Sequence, residues 1–155
     1  MKKILTLCLV CQDDKILLGI KKRGFGVGKW NGFGGKVNKG ESIEEAAKRE
    51  LFEESELVAN SLEKIGVLEF IWENKKEDIW EVNLFKVVDF SGIPVETEEM
   101  KPQWFDKNNI PFEKMWADDK YWFPLFFEGK KFEGKFMFSV DDKVVSYQLQ
   151  EVKEI

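Results

Sequence analysis

Between Gly35 and Leu57 the chain reads GKVNKGESIEEAAKRELFEESEL, and within it Glu53 and Glu54 follow Glu50 by three and four residues. On a helix, that spacing gathers the three carboxylates into one strip of surface. Ser42 and Glu45 make the S-x-x-E pattern of a capping box that starts such a helix. Ile43, Ala46, Ala47, Leu51 and Leu57 continue it at helical spacing. At about 100° per residue these apolar side chains share an arc, with Glu50 near its centre and Glu54 beside it. The strip turned toward the interior therefore carries charge. Desolvated carboxylates packed together repel one another and take up protons unless a cation neutralises them. Magnesium or manganese would do so through oxygen ligands alone, while keeping waters and bridging to phosphate. A solvated acidic face is the plain alternative for a Glu-rich helix. The glycine-rich approach to this helix favours the metal.

That approach reads KKRGFGVGKWNGFGG, with Lys21, Lys22, Arg23 and Lys29 around the glycines. Such a segment brings backbone close to a phosphate or a metal ion. The chain has no His, which excludes His-type zinc sites and Ser-His-Asp catalysis. Acid–base work then falls to carboxylates, Lys or Tyr. Net charge is −5 with both signs interspersed, so no broad basic face is offered to polymeric nucleic acid. A small phosphorylated ligand suits the local positive charge.

The elements that must position these groups follow from patterning. Residues 3–11 and 15–21 predict a hairpin around Asp13-Asp14, with Thr6 the polar residue of the first strand. Residues 62–73 and 79–90 predict two strands, with Phe70, Trp72 and Trp80 clustered around their turn; aromatics in such strands are usually core. Glu96, Glu98 and Glu99 end a loop, either solvated or with a supplementary metal ligand among them. A short strand over 101–106 follows, and Pro111 interrupts any helix before Met115. Trp116-Ala117-Asp118-Asp119 then precedes a helix limited by Pro124. The Asp pair reads as an N-cap, or as one ionised and one protonated carboxyl offering acceptor and donor to a base stacked on Trp116. Strands over 132–139 and 143–153 close the chain, turning at Asp141-Asp142.

With 155 residues, 43% of them hydrophobic, a single domain over 1–155 is expected, and no apolar run is long enough to span a membrane. Cys8 and Cys11 spell C-x-x-C, but on a strand they point to opposite faces, so core packing is the expected role. MKKILTLCLVC reads as a first strand rather than a signal peptide, because polar residues follow at once and no cleavage site is evident. A reducing cytoplasm is the expected compartment, with mitochondrial or nuclear targeting left open, and a monomer is the expected state.

Gly35, Glu41, Arg49, Glu50, Leu51, Glu53, Glu54 and Leu57 together resemble the signature box of the Nudix hydrolases; Glu56 stands where that pattern has Gly. Beyond the box, LLGIKKRGFGVGKWNGFGGKV, the EEM and WF around residue 100, IPFEKMWADDKYWFPL and KKFEGKF resemble the animal MutT-homologue branch of the family. The resemblance implies an α/β/α sandwich around a mixed β-sheet. It implies magnesium-dependent hydrolysis of oxidised purine nucleoside triphosphates, such as 8-oxo-dGTP and 2-hydroxy-dATP, to monophosphate and pyrophosphate. By the same resemblance, the Gly34 carbonyl, Glu50, Glu53, Glu54 and Glu99 would bind magnesium, with Arg49 orienting a carboxylate. Lys21 would lie close to the nucleotide. Asn31, Asp118 and Asp119 would read the base edge and Trp116 would stack on it. Thr6, Phe25 and Phe70 would line the pocket, with Trp72 and Trp80 in its wall. Glu53 is a candidate general base, although spacing does not separate base from ligand. Two rival functions remain at this stage: hydrolysis of another nucleoside diphosphate derivative, and a catalytically silent nucleotide-binding module.

Overall fold

The computed structural model describes residues 1–155. The chain begins with β1 (Lys2–Gln12), β2 (Lys15–Lys21) and β3 (Trp30–Asn31), followed by helix α1 (Ile43–Ser55). Then come β4 (Val58–Ala59), β5 (Glu63–Trp72), β6 (Ile79–Val87), β7 (Phe90–Ser91) and β8 (Met100–Asp106). Helix α2 (Asp119–Phe127) and the hairpin β9 (Lys131–Phe138) and β10 (Val144–Val152) complete it.

One sheet runs in the order β10-β9-β5-β6-β1-β2-β3, with β8 also paired to β2. β1 lies parallel to β6 and β5 parallel to β9, while the other neighbours are antiparallel. The sheet is therefore mixed. Side-chain alternation sends each strand's apolar residues into two cores. Cys8, Val10, Leu17, Phe85 and Val87 meet Ala47 and Leu51 of α1 on one face. Leu9, Ile16, Leu18, Leu68 and Leu84 meet Trp122, Phe123 and Phe126 of α2 on the other. This is the expected α/β/α sandwich. Cys8 and Cys11 join opposite cores, as the pleat requires.

The capping box at the head of α1 is complete: Glu45 N–H donates to Ser42 Oγ at 3.0 Å, and Ser42 N–H to Glu45 Oε1 at 2.9 Å. The helix stops at Ser55, before the apolar pattern reaches Leu57. Glu56 takes a left-handed conformation there, with φ 63° and its N–H on the Phe52 carbonyl at 2.8 Å. Glu56 thus performs the exit turn of the Gly in the signature box that this stretch resembles, at the steric cost of a Cβ in that region. Glu56→Gly should consequently stabilise the fold by about 1 kcal/mol, read as a higher thermal midpoint with α1 intact. Behind this exit, Thr97 Oγ1 donates to the Glu54 carbonyl at 3.1 Å and Val95 N–H to the Ser55 carbonyl at 3.0 Å. These bonds tie the loop carrying Glu99 to the end of α1.

Two expectations need correction. The strand expected over 79–90 ends at Val87, and Phe90–Ser91 instead pairs with Val58–Ala59 in a separate ribbon. Pro124 lies inside α2, which continues to Phe127; burial of Phe123 and Phe126 against the sheet holds the helix across the missing N–H.

Candidate active site

Helix α1 delivers Glu54 to the lining of a cavity of about 260 Å³. Glu54 is only 5% exposed, and its Oε1 accepts the Gly34 N–H at 2.9 Å. Burial pushes its carboxyl up to about 8, with the charges of Glu50 and Glu99 adding to the rise, and the Gly34 N–H and Lys21 opposing it. Glu50 is half-buried and also raised, chiefly by burial, against the pull of Arg49.

The backbone facing these groups has no room for side chains. A Cβ at Gly35 would come within 2.6 Å of the Glu50 carboxyl carbon, and one at Gly34 within 1.8 Å of the Thr6 carbonyl oxygen. Arg49 is a clamp: its Nε donates to Glu41 Oε2 at 2.6 Å, Nη1 to Glu50 Oε1 at 2.9 Å, and Nη2 to the Lys36 carbonyl at 3.0 Å. The Arg49 Nη1 also reaches Glu53 Oε2 at 3.3 Å. Glu53 is exposed, and Glu99 is held by Arg23, whose Nε donates to Glu99 Oε1 at 2.9 Å. Glu50 and Glu54 are thus gathered inward as the helical arc predicts, but Glu53, expected on the same inward strip, is exposed because it lies at the rim of the arc; Arg49 spans Glu50 and Glu53, and Arg23 holds Glu99. No three carboxylates converge on one point as the side chains stand.

The cavity itself is lined by Thr6, Lys21, Phe25, Asn31, Gly34, Glu54, Phe70, Trp72, Trp80, Trp116, Asp118 and Asp119. Every residue expected to contact the nucleotide is among them. Thr6 donates its hydroxyl to the Gly35 carbonyl at 3.4 Å. Asn31 Oδ1 accepts the Gly32 N–H at 2.9 Å, which leaves its amide nitrogen unengaged within the protein. The loop before β3 turns through Gly24, Gly26 and Gly28, with φ of 81°, 85° and 83°. This carries Phe25 onto Trp116, ring centroids 5.0 Å apart and 23° from parallel, and against Trp80 at 4.9 Å. Lys29 Nζ sits 5.2 Å from the Trp116 ring centre, a cation over an aromatic face.

Asp118 and Asp119 are 4% and 3% exposed. Asp118 occupies the N-cap position of α2 but makes no capping bond. Instead its Oδ2 accepts the Trp122 indole N–H at 2.8 Å. Burial raises both carboxyls; the Trp122 N–H restrains the rise at Asp118, and the charge of Asp118 drives Asp119 higher still. Of the two carboxyls, Asp119 is therefore the one that holds a proton more strongly. Asp119 Oδ2 is buried without a hydrogen-bond partner.

Trp122 escaped sequence reasoning, although its position one helical turn after Asp118 was the available signal. The Arg23 contact to Glu99 had none, because 76 residues separate the two.

The NUDIX domain family model matches residues 1–126. This chain belongs to the Nudix hydrolase family. Members of that family use divalent metal ions. The chain is 52% identical over 153 residues to the zebrafish (Danio rerio) oxidized purine nucleoside triphosphate hydrolase, covering 99% of this chain and 97% of the relative. It is 51% identical over 150 residues to the Mus musculus enzyme of the same name, covering 97% and 96% of the two chains. Among solved structures, the crystal structure of a Mutator MutT protein from Bacillus halodurans superposes with a TM-score of 0.85 at 30% identity, covering 96% of this chain and 97% of that one.

Proposed function

We propose that this Nudix hydrolase converts oxidised purine nucleoside triphosphates, 8-oxo-dGTP and 2-hydroxy-dATP among them, to monophosphate and pyrophosphate, and so clears damaged nucleotides from the pool. The observation that carries this reading is the buried Asp118–Asp119 pair, with an unpartnered Asp119 oxygen, in the same aromatic cavity as Glu54 and Lys21. Ordinary guanine shows two acceptors, N7 and O6, along one edge. Oxidation at C8 turns N7 into an N–H donor beside the O6 acceptor. An ionised Asp118 and a protonated Asp119 match that donor–acceptor edge, while a carboxylate facing an unmodified N7 is repelled. The zebrafish and mouse relatives, named for hydrolysis of oxidised purine nucleoside triphosphates, support the same assignment.

The residues suit a hard divalent cation, with magnesium preferred and manganese acceptable. The donors are all oxygen, and the raised carboxyl of Glu54 marks negative charge that a cation would stabilise. Glu50, Glu53, Glu54, Glu99 and the Gly34 carbonyl would hold it. When bound, it would polarise the polyphosphate and offset charge on the leaving group. Arg49 holds the Glu50 carboxylate in place through its own anchors on Glu41 and Lys36. Glu53, on the solvent side of the strip, would take the proton of the attacking water. Lys21 would neutralise phosphate charge. Trp116 would stack on the base, with Asn31 adding a donor at its edge and Thr6, Phe25 and Phe70 closing the pocket. We assign residues 1–155 to one catalytic domain, acting as a cytoplasmic monomer on free nucleotides. No helix is long and apolar enough to cross a membrane.

The deciding experiment is magnesium-dependent pyrophosphate release from 8-oxo-dGTP, 2-hydroxy-dATP, dGTP, ADP-ribose and a dinucleoside polyphosphate. The oxidised purines should exceed dGTP in kcat/KM by at least about tenfold, since a buried polar pair rejects a base that leaves it unmatched. Preference for ADP-ribose or the dinucleoside would move the substrate class. Nucleotide binding without turnover would make the chain a sensor.

A further inference from the structure

The pocket wall has an anchor outside the pocket. Trp72, at the end of β5, donates its indole N–H to Asp142 Oδ1 at 2.7 Å, across 70 residues of sequence. Asp142 belongs to the β9–β10 turn and does not line the cavity. It adopts φ 61°, the left-handed region. The turn is itself pinned: Asp142 N–H donates to the Ser139 carbonyl at 3.0 Å and Ser139 N–H to the Lys143 carbonyl at 2.8 Å. The strand ends are joined as well, by Glu73 N–H on the Phe138 carbonyl at 2.9 Å. Trp72 then lies on Phe138, centroids 5.2 Å apart and 28° from parallel, and meets Trp80 at 5.1 Å, Phe25 at 6.0 Å and Trp116 at 6.5 Å in edge-to-face pairs. Stacking and edge contacts of this kind leave the direction of the indole N–H open, and the bond to Asp142 fixes it.

We propose that Asp142 is a positioning residue for nucleotide binding: its carboxylate holds the Trp72 indole as the wall against which the base fits. This rests on the reading of the cavity as the base pocket. Losing the anchor should loosen the wall and weaken nucleotide binding, leaving the carboxylates of α1 undisturbed. KM should rise and kcat should hold.

Asp142→Gly removes the acceptor without left-handed strain, and Asp142→Asn keeps both an acceptor oxygen and tolerance of that conformation. Asp142→Gly should raise KM for 8-oxo-dGTP about fivefold to twentyfold with kcat within about twofold, and Asp142→Asn should restore most of the loss. In a Trp72→Phe background, which has no indole N–H, Asp142→Gly should have no further effect. Independently of activity, the Trp72 indole N–H resonance, identified by its loss in Trp72→Phe, should shift in Asp142→Gly and return in Asp142→Asn. An unchanged KM in Asp142→Gly, an Asn variant as impaired as the Gly variant, or an effect undiminished in Trp72→Phe would each overturn the assignment. A wild-type enzyme indifferent to purine oxidation would overturn the base-pocket reading instead, and the indole resonance would still report whether Asp142 holds Trp72.

Discussion

Glu54→Gln is expected to lower magnesium-dependent hydrolysis by about a thousandfold or more, and to make the metal-free protein more stable at alkaline pH. Both effects have one origin. Glu54 is 5% exposed, and its carboxyl is pushed from 4.5 up to about 8. Between those two values the folded chain holds a proton that the unfolded chain has lost. Stability therefore declines as pH rises through that window and levels off above about 8. Gln can accept the Gly34 N–H as Glu54 does, yet never ionises, so the variant escapes the decline. Calorimetry of metal-free protein at several pH values should show the variant's advantage growing from acid to alkaline conditions. An advantage independent of pH would show that Glu54 is not the titrating group. Glu53→Gln, at an exposed position, should also depress turnover by orders of magnitude with less effect on nucleotide binding. Unchanged turnover in that variant would remove Glu53 from the chemistry.

Asp118→Asn should cost about tenfold to a hundredfold in kcat/KM on 8-oxo-dGTP with a much smaller loss on dGTP. Its amide oxygen can still accept the Trp122 N–H, but the charge that favours a donor on the base is gone. Asp119→Asn should act differently. The amide is a permanent donor, so the relative efficiencies on 8-oxo-dGTP and 2-hydroxy-dATP should shift. The preference should also persist at alkaline pH, where the wild-type pair loses its shared proton and with it the donor. Steady-state kinetics on 8-oxo-dGTP, 2-hydroxy-dATP and dGTP across a pH series would show this. Relative efficiencies unaltered by either substitution would remove the Asp pair from base selection.

The two predictions draw on different kinds of information. That Glu50 and Glu54 face inward was legible in sequence, because an apolar arc at helical spacing must turn toward the core and takes along whatever lies within it. The start of α1 was legible for a similar reason, since both halves of the capping box lie within one turn. The difference in environment between Asp118 and Asp119 was not. It depends on Trp122 donating to one carboxylate and on burial leaving the other without a partner.

By itself the sequence determined the alternation that fills two cores and the helix that carries the carboxylates, while the residues around the cavity came only through resemblance to the Nudix family. The first two follow from local periodicity, or from a motif whose members are close along the chain. Tertiary structure alone decided that Glu56 could stand in for a glycine, that Pro124 would be tolerated inside α2, that Arg23 would hold Glu99, and that Asp142 would fix Trp72. Those outcomes depend on which distant groups the folded sheet brings within hydrogen-bond reach and on how much burial offsets a local penalty, and neither is encoded in spacing.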